Sequence, residues 1–215
     1  MKNYTFIEVC AGGGGLSTGL CKAGFTPLLL NDNDKNCCET LRLNHPDINI
    51  SHEPMENLYL SEYIGKVDLF TGGIPCQAWS HAGLRKGLDN PRGELMVKFI
   101  EMLNKLKPKV FMIENVKGKR YYTGGGKRGI LQRLSMEKPS LTLLCSPLQK
   151  QTERCHPLEE RPLSIREYAR IQSFDDDYNF YGSVVSQYKQ IGNAVPVELA
   201  KYIGISLIET LKECK

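Results

Sequence analysis

No stretch of the 215-residue sequence reaches the run of about 18 consecutive apolar residues that a membrane-spanning helix needs. The opening MKNYTFIEVC lacks the basic region, apolar core and small-residue cleavage site of a secretory signal. Together these absences predict a soluble, cytoplasmic chain with no membrane partner. There is no Cys-x-x-Cys pair, and of the four histidines (45, 52, 81, 156) only His156 stands beside a cysteine, so no metal site is expected. The eight cysteines, at 10, 21, 37, 38, 76, 145, 155 and 214, repeat no framework spacing, and free thiols in a reducing compartment are expected. No Gly-Lys-Ser or Gly-Lys-Thr follows the glycine run at 11–15, which disfavours a phosphate-binding loop and nucleotide hydrolysis.

What is present is enough for one main core. With 41% hydrophobic and 24% charged residues, the chain suits a single α/β domain with a small appendage. The net charge of +4 says little until it is divided along the sequence. Residues 1–116 hold 12 Lys/Arg against 13 Asp/Glu, residues 117–170 hold 12 against 5, and residues 171–215 hold 4 against 6. Clustered basic residues suit an edge that faces a polyanion, because backbone phosphates reward local rather than overall basicity. A solvated loop region has the same composition.

Patterning yields a repeating order of strands and helices. YTFIEVC (4–10) reads as a buried strand, followed by the glycine turn and a short helix closing at Gly24. TPLLL (26–30) is a second strand ending in NDND, and 35–44 a helix that Asp34 can cap. VDLFTG (67–72) is a third strand, 92–106 a helix with apolar spacings of three and four, and 109–114 a fourth strand ending on Glu114. Periodicity fails in KGKRYYTGGGKRG (117–129), which predicts a loop, and LTLLC (141–145) is a candidate short strand. A short helix is expected at 164–174, and a last one from Pro196 through Leu211. Strands alternating with helices predict a mostly parallel sheet with its site along the carboxyl edge.

Four features along that edge carry chemistry. Consecutive glycines let backbone approach a ligand, although the run breaks the dinucleotide spacing and serves equally as a tight turn. Asp32, just after the second strand, can accept hydrogen bonds from the ribose of a nucleoside cofactor, or be a solvated tip. Cys76, behind Pro75 in a loop after the third strand, is placed as a nucleophile or as a bystander thiol. Glu114 follows FMI, so partial desolvation would raise its pKa toward proton donation. Thiolate and protonatable carboxyl side by side suit addition to an electron-poor ring. His81 lies in the same loop with nothing to orient it as a base.

At this level of detail the blocks AGGGG (11–15), GGIPCQAWS (72–80), KGLDNPRGEL (86–95), IENV (113–116), REYARIQSF (166–174) and QIGNAVP (190–196) resemble, in order, those of the DNA cytosine methyltransferases that act on ring carbon 5. The resemblance implies a Rossmann-like S-adenosylmethionine-dependent methyltransferase fold, α/β, with helices on both faces of a mostly parallel sheet. It implies transfer of a methyl group from S-adenosyl-L-methionine to cytosine in duplex DNA, as in a restriction-modification system, through a covalent adduct with Cys76. Glu114 would hold the cytosine ring, with Pro75, Gln77 and Asn115 supporting the nucleophile. Phe6, Gly12, Gly14, Gly15, Asp32, Asn193 and Val195 match the cofactor blocks, and Glu53 stands where an acid near the adenine is expected. Ser80, Arg92, Arg166, Arg170 and Gln172 would support nucleic acid or the fold around it.

The resemblance also exposes an absence. Members carry a Gln-x-Arg-x-Arg segment and a target-recognition domain between Glu-Asn-Val and the Arg-Glu block, whereas only 49 residues separate Val116 from Arg166 here, and Ser135 stands where Gln132-Arg133 would need a second arginine. The expected division is a cofactor-binding and catalytic core at 1–116, a basic loop region at 117–163 as remnant of the recognition region, and a closing segment at 164–215. Two readings of activity stay open: one polypeptide of a two-chain enzyme whose partner supplies recognition, or a truncated homologue that binds cofactor or DNA with little catalysis. A transfer RNA cytosine methyltransferase of the same chemistry is a further alternative.

Overall fold

The computed structural model describes residues 3–74, 91–114, 132–145 and 154–213. Five strands, β1 (Tyr4–Val9), β2 (Phe25–Asn31), β3 (Ile50–Ser51), β4 (Leu69–Gly73) and β5 (Val110–Glu114), form one all-parallel sheet in the order β3-β2-β1-β4-β5. The order reverses between β1 and β4, so the crevice beyond their carboxyl ends is the place where such a sheet binds ligands. Pro27 in β2 has no N–H to give. It lies opposite Phe6, and the β1–β2 register shifts between Phe6 and Ile7.

The alternation of β1 sets two cores. Tyr4 and Phe6 face one way, with Leu69 of β4, Leu16 and Leu20 of α1 (Gly15–Ala23) and Leu41 of α2 (Lys35–Asn44). Ile7 and Val9 face the other, with Phe70 and with Phe99, Met102 and Leu106 of α3 (Pro91–Leu106). Phe70 and Phe99 stack there with ring centroids 4.6 Å apart. Helices therefore cover both faces, as the sequence predicts.

The closing segment forms α4 (Ile165–Ile171), α5 (Val184–Asn193) and α6 (Val197–Glu213). Asp34 caps α2 through Asn36 N–H at 2.9 Å, and Ser164 with Glu167 makes a capping box on α4. β3, at two residues, is too short to show a pattern, and α5 is not among the elements expected from the sequence although Val184, Tyr188 and Ile191 recur at spacings of four and three. LTLLC is not a strand: the Tyr168 hydroxyl accepts from Leu144 N–H and donates to Leu144 C=O, both at 3.0 Å, and so takes hydrogen bonds that a sheet partner would make. Two-residue strands β6 (Gln132–Arg133) and β7 (Arg154–Cys155) pair apart from the main sheet.

α6 returns along α1, so the chain's end braces its beginning. At Gly19 a Cβ would lie 2.4 Å from both the Ala200 Cβ and the Val197 carbonyl. Gly19→Ala should therefore destabilise the fold by about 1–3 kcal/mol despite alanine's better helix propensity, because α6 has to move away. Urea denaturation checks this, and an unchanged or raised midpoint would contradict it.

Candidate active site

The glycine turn between β1 and α1 is held by groups from four directions. Gly12, at φ +58°, has nothing within 4 Å of where its Cβ would be, and its N–H donates to Asp32 Oδ2 at 2.8 Å. Gly12 thus borders open space. Gly14 and Gly15 are glycines for a different reason: a Cβ on Gly14 (φ +81°) would meet the Tyr178 hydroxyl at 2.3 Å, and one on Gly15 would meet the Val195 carbonyl at 2.3 Å. The Tyr178 hydroxyl donates to Gly13 C=O at 2.8 Å, and Gln190 packs its Cβ against Gly13.

Asp32 is 8% exposed and directs its carboxylate back to the turn. Oδ2 accepts from Gly12 N–H and Oδ1 from Asp34 N–H, each at 2.8 Å. Burial pushes its pKa up, opposed by those two backbone hydrogen bonds. A carboxylate has about four lone-pair sites, so two remain for hydroxyl donors such as those of a ribose. Asn31 ties the neighbouring chain to this tip: its amide donates to Ser51 C=O at 3.2 Å and Glu53 C=O at 2.7 Å. Glu53 is thereby placed beside Asp32 by its backbone, with the residue itself exposed. Open space at Gly12, spare acceptor capacity on Asp32 and the neighbouring acid fit a nucleoside-bearing cofactor.

The far half of the edge is β5. Glu114 is its last residue, paired in register with Gly73, and a Cβ on Gly73 would lie 3.5 Å from Glu114 Oε2. Burial pushes the Glu114 carboxyl above the ordinary carboxylate range. Cys76 follows β4 by three residues in sequence. Cys76, with Pro75, Gln77, Ser80 and Asn115, lies outside the described residues. Arg92 sits in the first turn of α3, and its side chain is likewise outside them.

One expectation is corrected. Phe6, read as a cofactor contact, is fully buried in the sheet core and makes an edge contact with Phe25 at 6.3 Å between centroids. It lies too far inside β1 to reach the carboxyl edge, where Cys10 stands instead, at φ +54° against Met55.

Of the five residues read as support for nucleic acid or fold, the three with described side chains have structural partners. Arg166 donates to Asp175 C=O at 2.9 Å and Tyr178 C=O at 2.8 Å, fixing the turn that delivers Tyr178 to the glycines. Gln172 donates to Ile191 C=O and Ala194 C=O at 3.0 and 2.9 Å, which seats Val195 against Gly15. Arg170 forms an exposed two-point pair with Asp176. Asn193 accepts from the Cys145 thiol at 2.6 Å. Among the described residues, no group of three or more His, Cys, Asp or Glu side chains is arranged to hold a metal ion, and six cysteines are free thiols.

Sequence reasoning missed Glu8. This central β1 residue is 1% exposed, and burial pushes its carboxyl up to about 8, with Asp32 and Glu114 adding smaller repulsions against the Ser17 hydrogen bond. Ser17 in turn donates to Gly14 C=O at 3.2 Å, so Glu8 reaches the glycine turn through one hydroxyl. Its Oε2 has no hydrogen-bond partner. A charged residue within an otherwise apolar strand, one place before the turn's approach, was the available signal.

Sheet order and the placement of these groups at the switch point define a Rossmann-like α/β protein. The chain belongs to the C-5 cytosine-specific DNA methylase family, which it matches over residues 4–134 and 130–209. It is 34% identical to the Type II methyltransferase M.PspPI of Psychrobacter sp., covering 98% of this chain and 80% of that protein. It is also 34% identical to M.Sau96I of Staphylococcus aureus, covering 99% and 77%. These alignments run over 333 and 332 positions although this chain has 215 residues, so the relatives hold a long internal stretch that it lacks. Among solved structures, the Schizosaccharomyces pombe Dnmt2 methyltransferase superposes with a TM-score of 0.77 at 15% identity, covering 97% of this chain and 99% of that one. A prophage-encoded DNA modification methyltransferase of Escherichia coli gives 0.73 at 17%, covering 98% and 100%. At those identities the likeness is one of fold.

Proposed function

We propose that this chain is the cofactor-binding and catalytic part of a cytoplasmic DNA cytosine-5 methyltransferase of a restriction-modification system, acting on duplex DNA. The observation that carries the reading is the family match over nearly the whole chain, with the glycine turn, Asp32 and Glu114 on one sheet edge. Asp32 and Gly12 hold the nucleoside end of S-adenosyl-L-methionine, with Glu53, Asn193 and Val195 around it. When bound, that cofactor supplies an electrophilic methyl group.

The chain's own residues act on the ring. The Cys76 thiolate adds to carbon 6 of a cytosine turned out of the duplex, forming the Sγ–C6 bond. The displaced electron pair moves into the ring, making carbon 5 nucleophilic, while protonated Glu114 holds the ring nitrogen where negative charge builds. After carbon 5 has been methylated, solvent water takes its proton, the C5–H pair re-forms the C5–C6 double bond, and the Sγ–C6 pair leaves with the Cys76 thiolate. In this reading residues 1–116 form the core, 117–163 are what remains of the recognition region, and 164–215 close the cofactor pocket. The lost stretch is supplied by a second polypeptide, without which transfer is slow.

Calorimetric titration tests the cofactor assignment. S-adenosylmethionine should bind, and Asp32→Ala should weaken it on the order of 100-fold, the worth of one or two charge-assisted hydrogen bonds. Equal affinity for NAD would overturn the assignment. In a methyl-transfer assay with the complementing polypeptide, duplex DNA should be the substrate, and preference for a folded RNA would contradict that part.

A further inference from the structure

Glu8, Asp32 and Glu114 bring three carboxyl groups from three strands to the carboxyl edge of this sheet. By alternation Glu8 shares the face of β1 that carries Tyr4 and Phe6, Thr71 of β4 that of Leu69, and Glu114 of β5 that of Met112. Glu8 and Thr71 are directly opposite in register, and Glu114 lies opposite Gly73, two residues further along β4. Among the described residues, Glu8 Oε2 and Thr71 Oγ1 have no hydrogen-bond partner, with the two residues 1% and 0% exposed. A neutral carboxyl is tolerated in such a place, whereas an ionised one needs a positive charge within reach. The charged groups that act on Glu8 are themselves acids, Asp32 and Glu114. Around it the Cys21 thiol on α1, the Tyr178 phenol in the turn after α4 and the Cys10 thiol at the end of β1 are all pushed up by burial, so none carries charge near neutral pH. Lys189 of α5 is directed to the other acids: it pairs with Asp34 at 3.6 Å and acts on Asp32.

We infer that Glu8 is a buried counter-charge for the cationic cofactor: it gives up its proton when the sulfonium form binds at this edge and regains it when the neutral thioether remains after methyl transfer. This rests on the cofactor assignment above. The step is a proton exchange, in which the Glu8 O–H bond breaks, the proton goes to solvent and the carboxylate keeps the electron pair. Direct contact is not required. At an effective dielectric constant of about 20, a unit positive charge about 10 Å away favours the carboxylate by more than about tenfold. In the free protein the carboxyl titrates at about 8. The cation brings that to about 7 or lower, so about half a proton or more leaves per molecule bound at about pH 7.5. The bound state then holds fewer protons than the free state, and affinity for the cation rises with pH across that interval. The thioether carries no such charge, and Glu8 adds no pH dependence to its binding.

The test is calorimetric titration of the full chain with S-adenosylmethionine and with S-adenosylhomocysteine, in buffers of different ionisation enthalpy, from about pH 6.5 to 8.5. Each ligand is measured on wild type and on Glu8→Gln, so that the ligands' own titrating groups cancel. At about pH 7.5, S-adenosylmethionine should release about half a proton more from wild type than from Glu8→Gln, and S-adenosylhomocysteine should show no such difference. Across the range, the affinity of wild type for S-adenosylmethionine should gain about five- to tenfold on that of Glu8→Gln. A second measurement needs no variant. In carboxyl-labelled wild type, carbon-13 resonance should show the glutamate that titrates near 8 moving about one pH unit lower with S-adenosylmethionine and staying in place with S-adenosylhomocysteine. Equal proton counts for the two proteins with S-adenosylmethionine, or a glutamate midpoint that neither ligand moves, would overturn the inference and leave the cofactor reading standing. Binding of neither ligand would overturn both.

Discussion

Glu8→Gln should make the protein more stable at neutral pH, by about 3 kcal/mol, and should leave it nearly unchanged near pH 4.5. The carboxyl titrates at its ordinary 4.5 when unfolded and at about 8 when folded. Between those values the folded state holds a proton that the unfolded state has released, so wild-type stability falls as pH rises from about 4.5 to 8 and then levels. Glutamine has no proton to lose, and the difference between variant and wild type isolates this one group from the other carboxyls. Denaturation curves at pH 4.5, 6 and 7.5 give the answer; a gain that does not grow with pH, or a loss at pH 7.5, would show that Glu8 is not held neutral under the glycine turn.

Much of this site could be read before the fold was known, because its residues sit where strands end. Glycines after β1, Asp32 after β2 and Glu114 at the end of β5 are local features, set by strand length and by breaks in apolar patterning. Asp34 as a helix cap is likewise local. The contacts that shape the turn were not legible, since they join residues far apart in sequence. Tyr178 to Gly13 depends on the turn after α4, and Gln190 against Gly13 and Thr40 to Gln190 depend on α5, whose apolar spacing marks a helix but not the polar partners that it brings to the turn. Phe6 is the opposite case: its depth, the third residue of β1 and fully buried, follows from where the strand ends and not from the residue type. Asp175 meets Lys22 at 2.7 Å on the surface and ties the turn after α4 to α1. An exposed pair of this kind is worth about 0–1 kcal/mol.

The thiol chemistry carries the second large effect. Cys76→Ala should remove methyl transfer altogether, because the other thiol described at this edge, Cys10, is pushed up to about 12 by burial and supplies no thiolate near neutral pH, whereas Glu114→Gln should slow it by about two to three orders of magnitude, the scale of losing one group that stabilises developing charge. Neither substitution should lower cofactor affinity much, as both residues act on the base. The isolated chain should be slow even as wild type, since turning a base out of the stack costs a few kcal/mol that recognition contacts normally offset.

Covalent trapping on duplex DNA carrying 5-fluorocytosine puts these expectations to one test, since fluorine cannot leave carbon 5 as a proton does. With S-adenosylmethionine and the complementing polypeptide, the wild-type chain should form a denaturant-stable complex with the DNA, Glu114→Gln should form much less, and Cys76→Ala none. A complex that survives Cys76→Ala, or none at all from wild type while cofactor and complementing polypeptide are both bound, would contradict the assignment of this chain as a cytosine-5 methyltransferase acting through Cys76.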